Sequence, residues 1–62
     1  MKYKEMIKKL REKMLLTQTE FANELGVSLA SVARWEIGEN EPTMKVKRIL
    51  KELFEENGIK GE

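Results

Sequence analysis

The chain has 62 residues, room for one small domain and none for a substrate domain or a buried cofactor. It contains no cysteine and no histidine, which excludes a disulfide framework, a thiolate site and the usual zinc ligand sets, and leaves neither residue to act as catalytic base or nucleophile. Its net charge is only +1, so a polyanionic partner does not follow from overall charge. No apolar run approaches the length of a membrane span, and the N-terminus lacks a signal-peptide core. A soluble cytoplasmic protein is expected, not an enzyme, with no metal, cofactor, membrane or small-molecule ligand.

A first helix is predicted from about Tyr3 to Met14, with Tyr3, Met6, Ile7, Leu10 and Met14 on one face and the lysines elsewhere. Thr17-Gln18-Thr19-Glu20 reads as a capping box that opens the second helix: Thr17 caps and Glu20 reaches back. Gly26 ends that helix, where a positive φ is wanted. Ser28 is a natural N-cap for a third helix that runs to about Ile37 and stops at Gly38. Glu39-Asn40-Glu41-Pro42 breaks the chain, and Thr43 can cap a fourth helix. Val46, Ile49, Leu50, Leu53 and Phe54 form its core stripe, and Asn57-Gly58 ends it. With no strand alternation, repeat or linker, the expected fold is all-α, one domain over residues 1–62 in which four short helices share a core.

Charge is segregated along this order. Lys2, Lys4, Lys8, Lys9, Arg11 and Lys13 crowd the first helix, while Glu20, Glu24, Glu36, Glu39 and Glu41 outnumber Arg34 in the middle. Lys45, Lys47, Arg48 and Lys51 restore positive charge in the fourth helix, and the tail is acidic. Basic segments on both sides of the middle could flank a phosphate backbone, although charge alone favours reading them as ordinary solvated helix faces.

The stretch Gln18 to Ile37 carries the most information. Phe21, Leu25, Val27, Val32 and Trp35 are spaced so that two short helices bury one shared face, and Ala22 falls where those helices cross closely. Arg11, the pair Thr17-Gln18, the run Arg34-Trp35-Glu36 followed by Gly38, and Pro42 stand in register around it. On these residues the sequence resembles the phage-repressor and Cro-like helix-turn-helix family, often called XRE-type, from about Tyr3 to Phe54. The resemblance implies a lambda-repressor-like bundle whose second and third helices form the helix-turn-helix. It also implies sequence-specific binding of double-stranded DNA by a small bacterial or phage regulator, most simply a repressor. Such a regulator is expected to bind a palindromic operator as a homodimer, with half-sites about 10 bp apart.

In such a fold Val32 and Trp35 face inward, and Leu29, Ala30, Ala33 and Arg34 face the major groove. Arg34 is the expected base reader, since a guanidinium pairs bidentately with guanine O6 and N7; as a plain surface residue it would lie beside glutamates. Leu29 and Ala30 stand where family members often carry an amide side chain. Both are apolar, able to touch a thymine methyl but not to read adenine by paired hydrogen bonds, so DNA shape carries part of the specificity. Burial at the helix N-terminus would explain Leu29 as well.

Gln18 lies in the first turn of the second helix, where unpaired N–H groups and the helix dipole favour an anion. By resemblance it holds a phosphate and braces the third helix. Thr17, Ser28, Ser31 and Asn40 are further phosphate candidates, and capping alone would explain Ser28. Arg11 and Glu36 are expected, again by resemblance, to form a partly buried ion pair between the first and third helices. Trp35 is expected to anchor the core, its indole N–H within possible reach of a phosphate.

Three features depart from the family pattern. Glu39 and Glu41 occupy a loop where relatives frequently carry basic residues, which would weaken phosphate contact. Leu15 stands where a glycine is common, which points to a different turn after the first helix. The residues from Asn57 to Glu62 are too few for the fifth helix many relatives use to dimerise, leaving Phe54 and Ile59 as exposed apolar candidates for such contact. Two other functions fit the same residues: the antitoxin of a toxin–antitoxin pair, and a protein-interaction module that keeps the fold without the DNA contacts.

Overall fold

Four α-helices follow one another in the computed structural model, which describes residues 2–60: α1 (Tyr3–Lys13), α2 (Gln18–Leu25), α3 (Leu29–Ile37) and α4 (Met44–Glu56). The described residues contain no strand, and no helix among them is long and apolar enough to cross a membrane. α2 and α3 begin where side chains supply caps. Thr17 Oγ1 accepts the Glu20 N–H at 3.1 Å while the Thr17 N–H donates to Glu20 Oε1 at 2.8 Å, closing the capping box of α2. Ser28 Oγ accepts the Ser31 N–H at 3.1 Å and caps α3. Thr43 stands at the N-cap of α4 in extended conformation but makes no side-chain cap bond, contrary to the role expected of it.

All four helices stop in the same way. The residue past the last turn swings into the left-handed region, and two N–H groups fold back onto carbonyls of that turn. After α3, Gly38 (φ 85°) donates to Trp35 O at 3.2 Å and Glu39 donates to Arg34 O at 2.9 Å. After α1 the residue that takes this conformation is Leu15, at φ 60°, with Leu15 N–H to Glu12 O at 3.0 Å and Leu16 N–H to Arg11 O at 3.1 Å. The turn is therefore the one a glycine would make, and the different turn expected from Leu15 is not formed. Leu16 tucks against the core, and that packing holds the turn despite the side chain at position 15, which is left 89% exposed.

The core collects Met6, Ile7 and Leu10 from α1, Phe21, Ala22 and Leu25 from α2, Val32 and Trp35 from α3, and Val46, Leu50 and Phe54 from α4. Tyr3, Met14, Val27 and Leu53 are half-buried against it. α3 packs on both α1 and α2, and α4 packs on α1. Two expectations are corrected. Ile49, read as part of the α4 stripe, is exposed, because it lies about 100° around the helix from Leu50 and off the Val46-Leu50-Phe54 face. Phe54 and Ile59, read as exposed contacts for a second copy, are both buried. The reason is the turn at Gly58: Ile59 N–H donates to Phe54 O at 2.8 Å, and the chain doubles back so that Ile59 closes over the core.

Candidate nucleic-acid interface

A two-helix unit can present one helix outward only if its other side is fixed. On α3 this is done by Val32, Trp35 and Glu36. Val32 and Trp35 enter the core, and Trp35 is buried. Glu36 is met by two donors from other elements. Arg11 Nε–H donates to Glu36 Oε2 at 2.7 Å and Arg11 Nη2–H to Oε1 at 3.1 Å, while Gln18 Nε2–H also donates to Oε1 at 3.1 Å. The remaining arm of the guanidinium, Nη1, donates to Leu16 O at 3.0 Å, which ties the turn between α1 and α2 into the same network. The side chains of Arg11 and Glu36 are 16% and 6% exposed, so the bridge is largely withdrawn from water. Its hydrogen bonds to Glu36 raise the Arg11 pKa above the ordinary guanidinium value, with burial acting the other way.

The opposite side of α3 is free. Leu29 is 47% exposed and Ala30 is exposed, so Leu29 is not spent on burial at the helix start. Ala33 is half-buried, and the Arg34 side chain is 55% exposed, its Nε 3.9 Å from Glu39 Oε1. One residue of this face was not expected from sequence. Ile37 is 67% exposed and follows Ala30 by seven positions, Ala33 by four and Arg34 by three, the spacing that would have revealed it.

The candidate phosphate contacts have different surroundings. Gln18, half-buried, spends one amide proton on Glu36 and keeps the other. Both polar groups of Thr17 are engaged in the capping box, which also sets the Glu20 carboxylate at the start of α2. The Ser28 and Ser31 hydroxyls lie 3.0 Å apart, one donating to the other. Asn40 is exposed in the loop after Gly38, beside a shallow cleft lined by Lys4, Trp35, Ile37 and Glu41. The acidic loop is partly neutralised, with Lys47 Nζ 3.1 Å from Glu41 Oε1. Lys4 folds its stem over Gly38, where a Cβ would stand 3.1 Å from Lys4 Cδ.

A model of helix-turn-helix domains matches residues 7–53. The chain belongs to the XRE-type helix-turn-helix family. A protein of Pyrococcus furiosus, provisionally named an HTH-type transcriptional regulatory protein, is 43% identical over 56 residues, covering 90% of this chain and 18% of its own length. A protein of Pyrococcus abyssi with the same provisional name is 43% identical over 54 residues, covering 87% of this chain and 17% of its own. This helix-turn-helix chain thus spans less than a fifth of either relative. Both relatives are archaeal, where a bacterial or phage source was expected. No solved structure matches the chain.

Proposed function

We propose that this helix-turn-helix domain binds double-stranded DNA in a sequence-specific manner and serves transcription regulation, with α3 in the major groove. The observation that carries this reading is the division of α3 into two sides. One is fixed by the core and by the Arg11–Glu36–Gln18 network, and the other is left open around an exposed Arg34. Membership of the helix-turn-helix family and the names of the two Pyrococcus relatives support it. In this reading Arg34 pairs with a guanine, Leu29, Ala30 and Ala33 line the groove floor, and Gln18 holds a phosphate with its second amide proton. Thr17, Ser28, Ser31 and Asn40 border the backbone. Repression by occupying a promoter, as a homodimer on a palindromic operator, is the simplest regulatory mode.

Selection of duplexes from a random library at low salt, with Arg34→Ala beside the wild type, tests the proposal. An enriched palindrome that relaxes at one guanine in the variant supports it. Weak binding without enrichment, lost equally by both proteins as salt rises, overturns it. The exposed Leu29 and Ile37 favour one second reading, a module that docks a protein on the same apolar face. In that case Leu29 and Ile37 substitutions would abolish function in the cell while Gln18 and Arg34 substitutions would not.

A further inference from the structure

Four of the five residues on the open face of α3 have no hydrogen-bonding side chain. Leu29, Ala30, Ala33 and Ile37 offer only alkyl groups, and Arg34 is the polar exception. The hydroxyls at the start of the helix are tied to its cap. Ser28 Oγ accepts the Ser31 N–H at 3.1 Å, and the two hydroxyl oxygens lie 3.0 Å apart in a bond of their own. Ser28 and Ser31 are thus engaged with each other and with the helix cap, and the exposed side chains that follow Ser28 in the first turn, Leu29 and Ala30, are both alkyl. What the major groove offers an alkyl side chain is the C5-methyl group of a pyrimidine.

We infer that α3 reads C5-methylated pyrimidines through Leu29 and Ala30, at a fixed distance from the guanine read by Arg34. This rests on the DNA-reading function proposed above and specifies the chemistry of its target. Along the helix axis, residues 29 and 34 are about 7.5 Å apart at 1.5 Å per residue. With α3 lying along the groove, that is about two base-pair steps of roughly 3.4 Å. Each half-site then carries a methylated pyrimidine and a guanine about two steps apart. Thymine supplies the methyl in unmodified DNA, and 5-methylcytosine presents the same group.

The test uses the duplex that the wild-type chain enriches. Each thymine in turn is replaced by uracil, which deletes one methyl group, and binding is measured for the wild type and Leu29→Ala. At one thymine per half-site, uracil should weaken wild-type binding about fourfold, the factor that corresponds to one buried methyl-sized group. Leu29→Ala, with only Ala30 left against the methyl, should lose most of this preference for thymine over uracil. Cytosine at that position should also bind more weakly than thymine, and 5-methylcytosine should recover part of the loss, separating the modified base from thymine as the source of the methyl. Leu29 is about half exposed, and a melting curve for the variant checks that it folds. An enriched duplex that tolerates uracil at every position overturns this inference and leaves the DNA-reading function standing. If no duplex is enriched, both fall.

Discussion

Arg11 grips Glu36 with two prongs, Nε on Oε2 at 2.7 Å and Nη2 on Oε1 at 3.1 Å, joining α1 to α3 across the interior. Removing either partner strands the other in a site largely closed to water. Arg11→Ala or Glu36→Ala should cost about 3 kcal/mol or more, a large share of the stability of so small a domain. The Arg11→Met, Glu36→Leu pair should recover most of that loss in urea unfolding. A double variant as unstable as the singles would show that the ion pair is not the source of the cost.

The same bridge should be silent to pH. Hydrogen bonding to Glu36 raises the Arg11 pKa, burial lowers it in part, and the Glu36 and Glu12 charges raise it further. A cation whose pKa rises on folding contributes its stability below the unfolded value and loses it only as pH climbs through the folded one. Both values lie in strong alkali, and the chain has no histidine. Unfolding free energy should therefore stay flat between about pH 6 and 9. A clear slope in urea midpoints across that window would contradict this account.

Leu15 carries backbone strain in the open. A leucine held at φ 60° costs roughly 1–2 kcal/mol, and its side chain recovers little of that because it is 89% exposed. Leu15→Gly should relieve the strain, less the extra freedom glycine gives the unfolded chain, for a net gain of about 0.5–1 kcal/mol. The melting temperature should rise by roughly 2–8 °C. Leu15→Ala keeps the strain and should leave it unchanged, which separates the backbone effect from loss of an exposed side chain.

Gln18→Glu keeps the shape and replaces the donor to Glu36 with a second carboxylate. Repulsion should lower stability modestly, and, if Gln18 holds a phosphate as proposed, DNA binding should fall by roughly tenfold or more for all sequences alike. If affinity holds while stability drops, Gln18 is a brace and nothing else.

Glu39→Gln acts in the opposite direction. Glu39 lies 3.9 Å from Arg34 and is well exposed, so melting should not change. DNA affinity at low salt should rise a few-fold, with the gain fading as salt screens the charge and the preferred guanine unaltered. Unchanged affinity at low salt would mean that Glu39 does not hold Arg34 back.

The limits of α2 and α3 are legible in the sequence because local residues set them. Thr17 with Glu20, Ser28, Gly26 and Gly38 are local signals, and each performs its expected role in the structure. The Arg11–Glu36 pair is legible only through family resemblance, since nothing local says that two residues 25 apart will meet. The fold-back at Ile59 escapes helical periodicity because it begins after the helix ends; an apolar residue following Asn57-Gly58 is the available clue. Leu15 misleads because a propensity rule weighs one residue, whereas Leu16 and the bond from Arg11 Nη1 hold that turn from the inside.

The convergence of α1 and α2 on Glu36 has a consequence for how mistakes are handled. A groove-inserted helix that could rock on its base would adapt to a wrong sequence and settle for poorer contacts. Here the base is bolted at one carboxylate by two neighbouring helices, so in the proposed binding mode α3 would arrive as a preformed key and little ordering entropy would be lost on docking. A misfit would then have no soft joint to absorb it and would show up as rapid release.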